Sequence, residues 1–185
     1  CTKLVSGSPF TSGADGTITT QLAPGTYFIE ECSNPADYPD WDLDTACHIV
    51  TINAGETASV TIENIHYGYA KIVKQTNTGT NLSGWKFNIY TDEACTKLLD
   101  GSPFTSDANG VITTRLLPGD YYVREVDESA TYPEWTFDTA VKKVSVVAGE
   151  TKSVTFVNNQ SGWLKLIKAM PDGGSVAGWM FEVHR

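Results

Sequence analysis

The sequence predicts an all-β protein, built as two antiparallel β-sandwiches of about 90 residues in tandem. Two observations carry that prediction. The chain repeats itself, and each repeat consists of short β-rich runs separated by turn residues. CTKLVSGSPFTS, beginning at Cys1, recurs as CTKLLDGSPFTS, beginning at Cys95, an offset of 94 that holds without a gap to the end of the chain. QLAPGTYFIEE (21–31) matches RLLPGDYYVRE (115–125), and NAGETASVTIEN (53–64) matches VAGETKSVTFVN (147–158). Repetition at a fixed period signals one structural unit used more than once. With 185 residues the chain has room for two small domains, and no window of helical period is long enough to matter.

The repeat divides the chain into three parts. Residues 66–160 form one complete unit, 1–65 form a unit lacking its first strands, and 161–185 form the first strands of a further copy. The two incomplete parts are complementary, short only of the equivalents of Asp92, Glu93 and Ala94. In the complete unit, residues 69–74, 86–90, 111–116, 120–126, 142–147 and 153–158 read as strands. Asn109-Gly110, Pro118-Gly119 and Ala148-Gly149 supply the turns between them.

Charge and composition narrow the function. There are 13 Lys+Arg against 22 Asp+Glu, a formal net charge of −9. That balance repels phosphate backbones, so nucleic acid is not an expected partner. No apolar run reaches the length of a membrane span. The sequence shows no signal peptide and no sorting signal, so an exported protein is expected here as a mature or trimmed product. The four cysteines form no CxxC pair, and the three histidines (His48, His66, His184) are not repeated between copies. No metal, cofactor or catalytic triad is expected from these spacings.

Strand alternation places three polar residues among apolar ones. Ala70, Ile72 and Lys74 share one face, as do Tyr121, Val123 and Glu125, and Val154, Phe156 and Asn158. The same types recur at the same phase as Lys168, Glu31 and Asn64. If these faces point inward, the core holds a lysine, a carboxylate and a carboxamide. Burial lowers a lysine pKa and raises a carboxylic acid pKa. A neutral amine beside a protonated acid is a nucleophile with a proton relay at hand. Attack on the carboxamide carbon with loss of ammonia gives a Lys–Asn isopeptide bond. The acid is expected to donate to the asparagine carbonyl and to be returned unchanged. Other readings of the residues are a lysine reaching water from a strand end, an ordinary Lys74–Glu125 ion pair, or Asn158 capping a turn. Lys71 is a rival lysine on the opposite face, repeated as Lys165.

The first-strand lysine, the xLxG sequence, LxPGxYYVxEV and the terminal VTFxN together resemble a collagen-adhesin B-type (Cna B-type) domain of Gram-positive pilins and surface adhesins. The resemblance covers nearly the whole chain. It implies prealbumin-like, Ig-like β-sandwiches and an autocatalytic bond between Lys74 and Asn158 assisted by Glu125. In the incomplete copies those roles fall on Lys168, Asn64 and Glu31. It further implies a structural subunit of a pilus, fibre or adhesin stalk on the bacterial cell surface, with no enzymatic turnover.

Cys32 and Cys47 correspond to Val126 and Val141, so both members of the pair change together between copies. That predicts a Cys32–Cys47 disulfide and an oxidising compartment, the alternative being two separate buried thiols. Cys1 and Cys95 occupy equivalent loops and are not expected to pair. Trp41, Trp85 and Trp135 either pack in the core or, in a rival binding function, present stacking surfaces to a glycan or host protein. A small-molecule enzyme of transthyretin-like fold is a third reading, which the unmatched histidines disfavour. Strands 161–185 of one chain are expected to complete unit 1–65 of the next, giving a head-to-tail filament of copies, the alternative being that the sequence is a window from a longer tandem array.

Overall fold

The computed structural model describes residues 3–184. Its strands are β1 (Gly25–Ile29), β2 (Trp41–Asp42), β3 (His48–Ile52), β4 (Ile65–His66), β5 (Gly68–Thr76) and β6 (Lys86–Tyr90). They continue with β7 (Phe104–Thr105), β8 (Val111–Leu116), β9 (Gly119–Glu125), β10 (Trp135–Thr136), β11 (Lys142–Val146) and β12 (Thr151–Gln160). One short 3-10 turn, Pro35–Asp37, is capped by the Asn34 side chain. Among the described residues no helix is long and apolar enough to cross a membrane.

The complete unit folds as two four-stranded sheets, ordered β10-β12-β5-β8 and β11-β9-β6-β7. Their inner faces carry the alternating apolar residues. Ala70 and Ile72 on β5, Phe87 and Ile89 on β6, Val123 on β9 and Phe156 on β12 are all buried, and Phe87 packs on Phe156 with ring centroids 5.1 Å apart. The fold departs from the purely antiparallel expectation at one pair. β12 runs parallel to β5, from Thr151↔Tyr69 to Asn158↔Thr76. The chain changes sheet between these two strands, so the first and last strands of the unit meet side by side and point the same way. Side-chain alternation is identical in parallel and antiparallel pairs, which is why sequence periodicity could not separate them.

Glycine is required where backbones come closest. A Cβ on Gly68 would lie 2.2 Å from the Val147 carbonyl oxygen. One on Gly110, whose φ is +76°, would lie 2.5 Å from the Lys74 carbonyl oxygen. The Gly110 carbonyl in turn accepts the Lys74 N–H at 2.6 Å, pinning that part of β5.

The first unit keeps only part of this design. β1 pairs β3, and β2 pairs β4 through Trp41↔His66 and Asp42↔Ile65. These are the counterparts of the β9–β11 and β10–β12 pairs, in matching register. Residues 17–22 and 57–64, the counterparts of β8 and of most of β12, form no strand. Neither do residues 161–184. A strand without a partner to complete its ladder has nothing to satisfy its backbone groups, and among the described residues no β5-like strand lies between 17–22 and 57–64. Ile18 is 51% exposed, whereas its counterpart Ile112 is 7% exposed. The two units join at Asp40, whose carbonyl accepts the Tyr67 N–H at 2.8 Å and whose carboxylate accepts the Tyr69 hydroxyl at 2.6 Å.

Candidate functional site

The inward-facing positions of β5, β9 and β12 bring Lys74, Glu125 and Asn158 together in the core of the complete unit. All three side chains are buried, with Lys74 and Asn158 at 1% and 0% exposure. The Lys74 ammonium nitrogen lies 2.9 Å from Glu125 Oε1 and 3.1 Å from Oε2. Asn158 Nδ2 donates to Glu125 Oε1 at 2.8 Å. The Trp85 ring closes the site, its centroid 4.5 Å from Lys74 Nζ. Trp85 itself packs edge-to-face on Trp135 at 5.3 Å.

Burial dominates the electrostatics. Desolvation pushes the Lys74 pKa below the usual lysine range, more than the hydrogen bond and charge of Glu125 restore it. Desolvation likewise raises the Glu125 carboxyl, against the opposing pull of Lys74 and Asn158. Both shifts favour the uncharged forms, a neutral amine and a protonated acid.

The carbonyl of Asn158 has a donor that sequence reasoning missed. Its Oδ1 accepts the backbone N–H of Asp138 at 2.9 Å, so Glu125 binds the amide end of the carboxamide rather than its oxygen. The Asp138 carboxylate holds this loop, accepting from Lys142 Nζ at 2.6 Å and from Ala140 N at 3.2 Å. Desolvation opposes its ionisation, but the hydrogen bonds from Lys142 and the backbone outweigh it and keep the carboxyl below its ordinary pKa. The signal in the sequence was the Asp-Thr-Ala that both copies keep, at Asp44 and Asp138. Chemically, the arrangement offers an amine, a proton relay and a carboxamide whose carbonyl is already polarised by a fixed N–H.

The incomplete copies place their counterparts apart. Asn64 Nδ2 donates to Glu31 Oε1 at 3.1 Å, and Asn64 Oδ1 accepts the Asp44 N–H at 2.8 Å. Lys168 is elsewhere, donating to the Ala169 carbonyl at 3.0 Å and lying over the Trp179 ring. Lys71, the rival lysine, is half-buried on the outer face of β5.

The Cys32–Cys47 disulfide is not formed. Both residues are exposed, and Cys47 engages the Glu30 side chain. The β1–β3 register ends at Ile29↔His48, so its next pair is Glu30 with Cys47, and Cys32 lies on a diagonal beyond it. Local desolvation, together with the Glu30 side chain, raises the Cys47 thiol pKa. Cys1 lies outside the described residues. Trp85 and Trp135 belong to the core, while Trp41 is 42% exposed and stacks on His66 at 4.6 Å.

No curated protein matches the sequence. Similar solved structures include a minor pilin of Streptococcus agalactiae, 18% identical, with 68% of this chain and 64% of that chain covered and a TM-score of 0.45. The major pilin subunit of Bacillus cereus is 17% identical over 51% of this chain and 29% of that chain, with a TM-score of 0.43. The major pilin of Corynebacterium diphtheriae is 18% identical over 51% and 30%, with a TM-score of 0.39. The chain thus spans less than two thirds of the length of each. The model of the SpaA prealbumin-like fold domain matches residues 2–66 and 68–160, one match for each unit. With its two sandwich-type units matched over most of its length, the chain belongs to the SpaA prealbumin-like fold domain family.

Proposed function

We propose that this chain is a structural subunit of a Gram-positive-type surface pilus, fibre or adhesin stalk, whose complete domain cross-links itself through a Lys74–Asn158 isopeptide bond of the collagen-adhesin B type. One observation carries the reading: a lysine and an asparagine, each hydrogen-bonded to the same glutamate, sit dry on three strands of the core. A buried ion pair is weak support for stability in itself, and apolar residues would fill the space as well. The triad is accounted for by chemistry.

Neutral Lys74 Nζ attacks Asn158 Cγ while the Asp138 N–H steadies the negative charge that grows on Oδ1. The new C–N bond forms and the bond from Cγ to Nδ2 breaks. Glu125 takes one proton from the amine and delivers one to Nδ2, which leaves as ammonia. Glu125 ends as it began, but Lys74 and Asn158 are consumed in the new amide, so the reaction runs once per domain and the protein is not an enzyme in the turnover sense. The partners expected are further copies of the chain or related subunits, at the cell surface.

The test is the intact mass of the chain after heating in denaturant with reductant. The expected result is a mass lighter than the sequence by at least one ammonia, with a branched peptide joining the Lys74 and Asn158 segments after digestion. Lys74→Ala restores that ammonia. A wild-type chain at full mass overturns the reading.

A further inference from the structure

The segment that delivers the Asp138 N–H to Asn158 lies between the two sheets of the complete unit. β10 pairs with β12 only at Trp135↔Gln160 and Thr136↔Asn159, and the chain then crosses to the other sheet, where β11 opens at Lys142. A crossing loop has no ladder to fix its backbone, yet a donor serves a reaction only if it is aimed before charge develops. Side-chain bonds take the place of the ladder. Asp138 Oδ1 accepts the Ala140 N–H at 3.2 Å, and Oδ2 accepts the Val157 N–H at 3.4 Å. Lys142 Nζ donates to Asp138 Oδ2 at 2.6 Å and to the Thr155 carbonyl, and it lies over the Phe156 ring, 4.3 Å from the centroid. One ammonium thus ties the loop to Thr155, to Phe156 and, through Asp138, to Val157, the three residues of β12 that precede Asn158.

The first unit repeats this contact with a different side chain. Asp-Thr-Ala-Val-Lys at 138–142 is Asp-Thr-Ala-Cys-His at 44–48. There the Asp44 N–H donates to Asn64 Oδ1 at 2.8 Å, the Ala46 N–H donates to Asp44 Oδ1 at 2.9 Å, and His48 Nε2 meets Asp44 Oδ2 at 2.8 Å. Lysine and histidine share little beyond a side-chain nitrogen able to donate to a carboxylate. What both copies keep is that donation from four residues on, and with it the aim of the aspartate N–H.

We infer that Lys142 is a positioning residue for the isopeptide reaction: by holding the Asp138 carboxylate it fixes the Asp138 N–H on Asn158 Oδ1, and its charge offsets the carboxylate beside the growing oxyanion. The inference rests on the isopeptide reading above and adds a residue to it. Lys142 acts through Asp138 rather than on the reacting atoms. Its charge also reaches the nucleophile. Lys74 is depressed chiefly by desolvation; the Asp138 charge works against that shift and the Lys142 charge works with it. With Lys142 gone, the carboxylate would favour the inert ammonium form of Lys74. As a partly exposed ion pair, Lys142 and Asp138 contribute little to stability in themselves, so the contact is expected to show in the rate.

The experiment follows ammonia loss by intact mass in the freshly refolded full chain, with the branched peptide of the Lys74 and Asn158 segments confirming the site. Near-ultraviolet dichroism of the Trp85–Trp135 pair reports that the domain is folded while the rate is read. Lys142→Met keeps the stem over Phe156 and removes the cation. It is expected to react about 10- to 100-fold more slowly and to reach the same final mass, since displacing or losing an aimed donor costs on that order. Lys142→Arg restores a cation that can bond Asp138 and stack on Phe156, and is expected to react at a rate near wild type. A merely structural role for Lys142 would leave the rate of the folded domain unchanged. Asp138→Asn keeps the backbone N–H but weakens the contact from the other side, and it decides the matter if Lys142→Met does not fold. The double variant Lys142→Met with Asp138→Asn is expected to be no slower than the slower single one, because both act through one contact. Lys142→Met or Asp138→Asn folded and reacting at the wild-type rate overturns the inference and leaves the isopeptide reading standing. So does a folded Lys142→Arg as slow as Lys142→Met, or a double variant in which the two effects multiply. A wild-type chain that loses no ammonia overturns both.

Discussion

Replacing Lys74 by methionine and Glu125 by glutamine together (K74M/E125Q) removes the nucleophile, the relay and both buried charges while keeping side-chain lengths close to native. The bond from Lys74 to Asn158 closes a loop of about 84 residues, which the chain-entropy treatment of cross-links values at about 4.5 kcal/mol. Exchanging a buried ion pair for uncharged groups of similar volume is by itself neutral or mildly stabilising. The double variant is therefore expected to lose about 4 kcal/mol of domain stability. For a domain of this size that lowers Tm by roughly 15–30 °C. Trp85 and Trp135, packed edge-to-face at 5.3 Å, give the near-ultraviolet dichroism signal that follows this domain's melting. Lys74→Met alone should melt lower still, because it leaves Glu125, 4% exposed, without its cation. Two results refute the reasoning: a double variant that melts within a few degrees of a wild type known to carry the cross-link, or a single variant that melts above the double.

Gly110→Ala places a methyl group 2.5 Å from the Lys74 carbonyl oxygen at a backbone φ of +76°. Expected are a loss of about 1–3 kcal/mol, read from the urea midpoint, and slower ammonia release as β5 shifts away from Glu125. The rate of bond formation should depend on pH in a specific way. Lys74 is depressed and Glu125 raised, chiefly by desolvation in each case, so the reactive pair of neutral amine and protonated acid holds the same single proton as the ion pair. Their ratio is then independent of pH while the pair keeps that one proton. Acid adds a second proton and leaves an inert ammonium; base removes the last one and leaves no relay. A mass time course on freshly refolded chain across pH should show a plateau that falls at both ends. A rate that rises steadily with pH would instead point to an ordinary, solvent-exposed lysine.

Much of the site was legible because strand alternation is a strong signal and the repeat supplied a second reading of it. Lys74, Glu125 and Asn158 each sit at the inward phase of a strand, and each has a counterpart 94 residues away. What escaped notice was backbone chemistry. The Asp138 N–H is a donor with no side-chain signature of its own, visible only through the Asp-Thr-Ala that positions it. The cysteines failed for a related reason. Joint change of Cys32 and Cys47 was read as contact, yet both lie beyond the β1–β3 ladder that would have held them opposite each other. The parallel β5–β12 pair was invisible too, since it follows from where the chain changes sheet and not from any local pattern. The open first unit shows the same limit from the other side. Residues 17–22 and 57–64 resemble their counterparts in sequence, yet they form no strands where the intervening partner strand is lacking.

The parallel pair also decides what the cross-link would do under load. Tension along the chain enters the complete domain at Gly68, the start of β5, and leaves at Gln160, the end of β12. Without a covalent link, that pull shears two parallel neighbours past each other, and the resistance is a set of hydrogen bonds from Thr151↔Tyr69 to Asn158↔Thr76. With Lys74 joined to Asn158, force entering β5 crosses to β12 after one short run and exits almost at once. Residues 75–157, which hold β6 to β11 and most of the core, lie outside the path. Unfolding them by pulling would then require breaking a covalent amide.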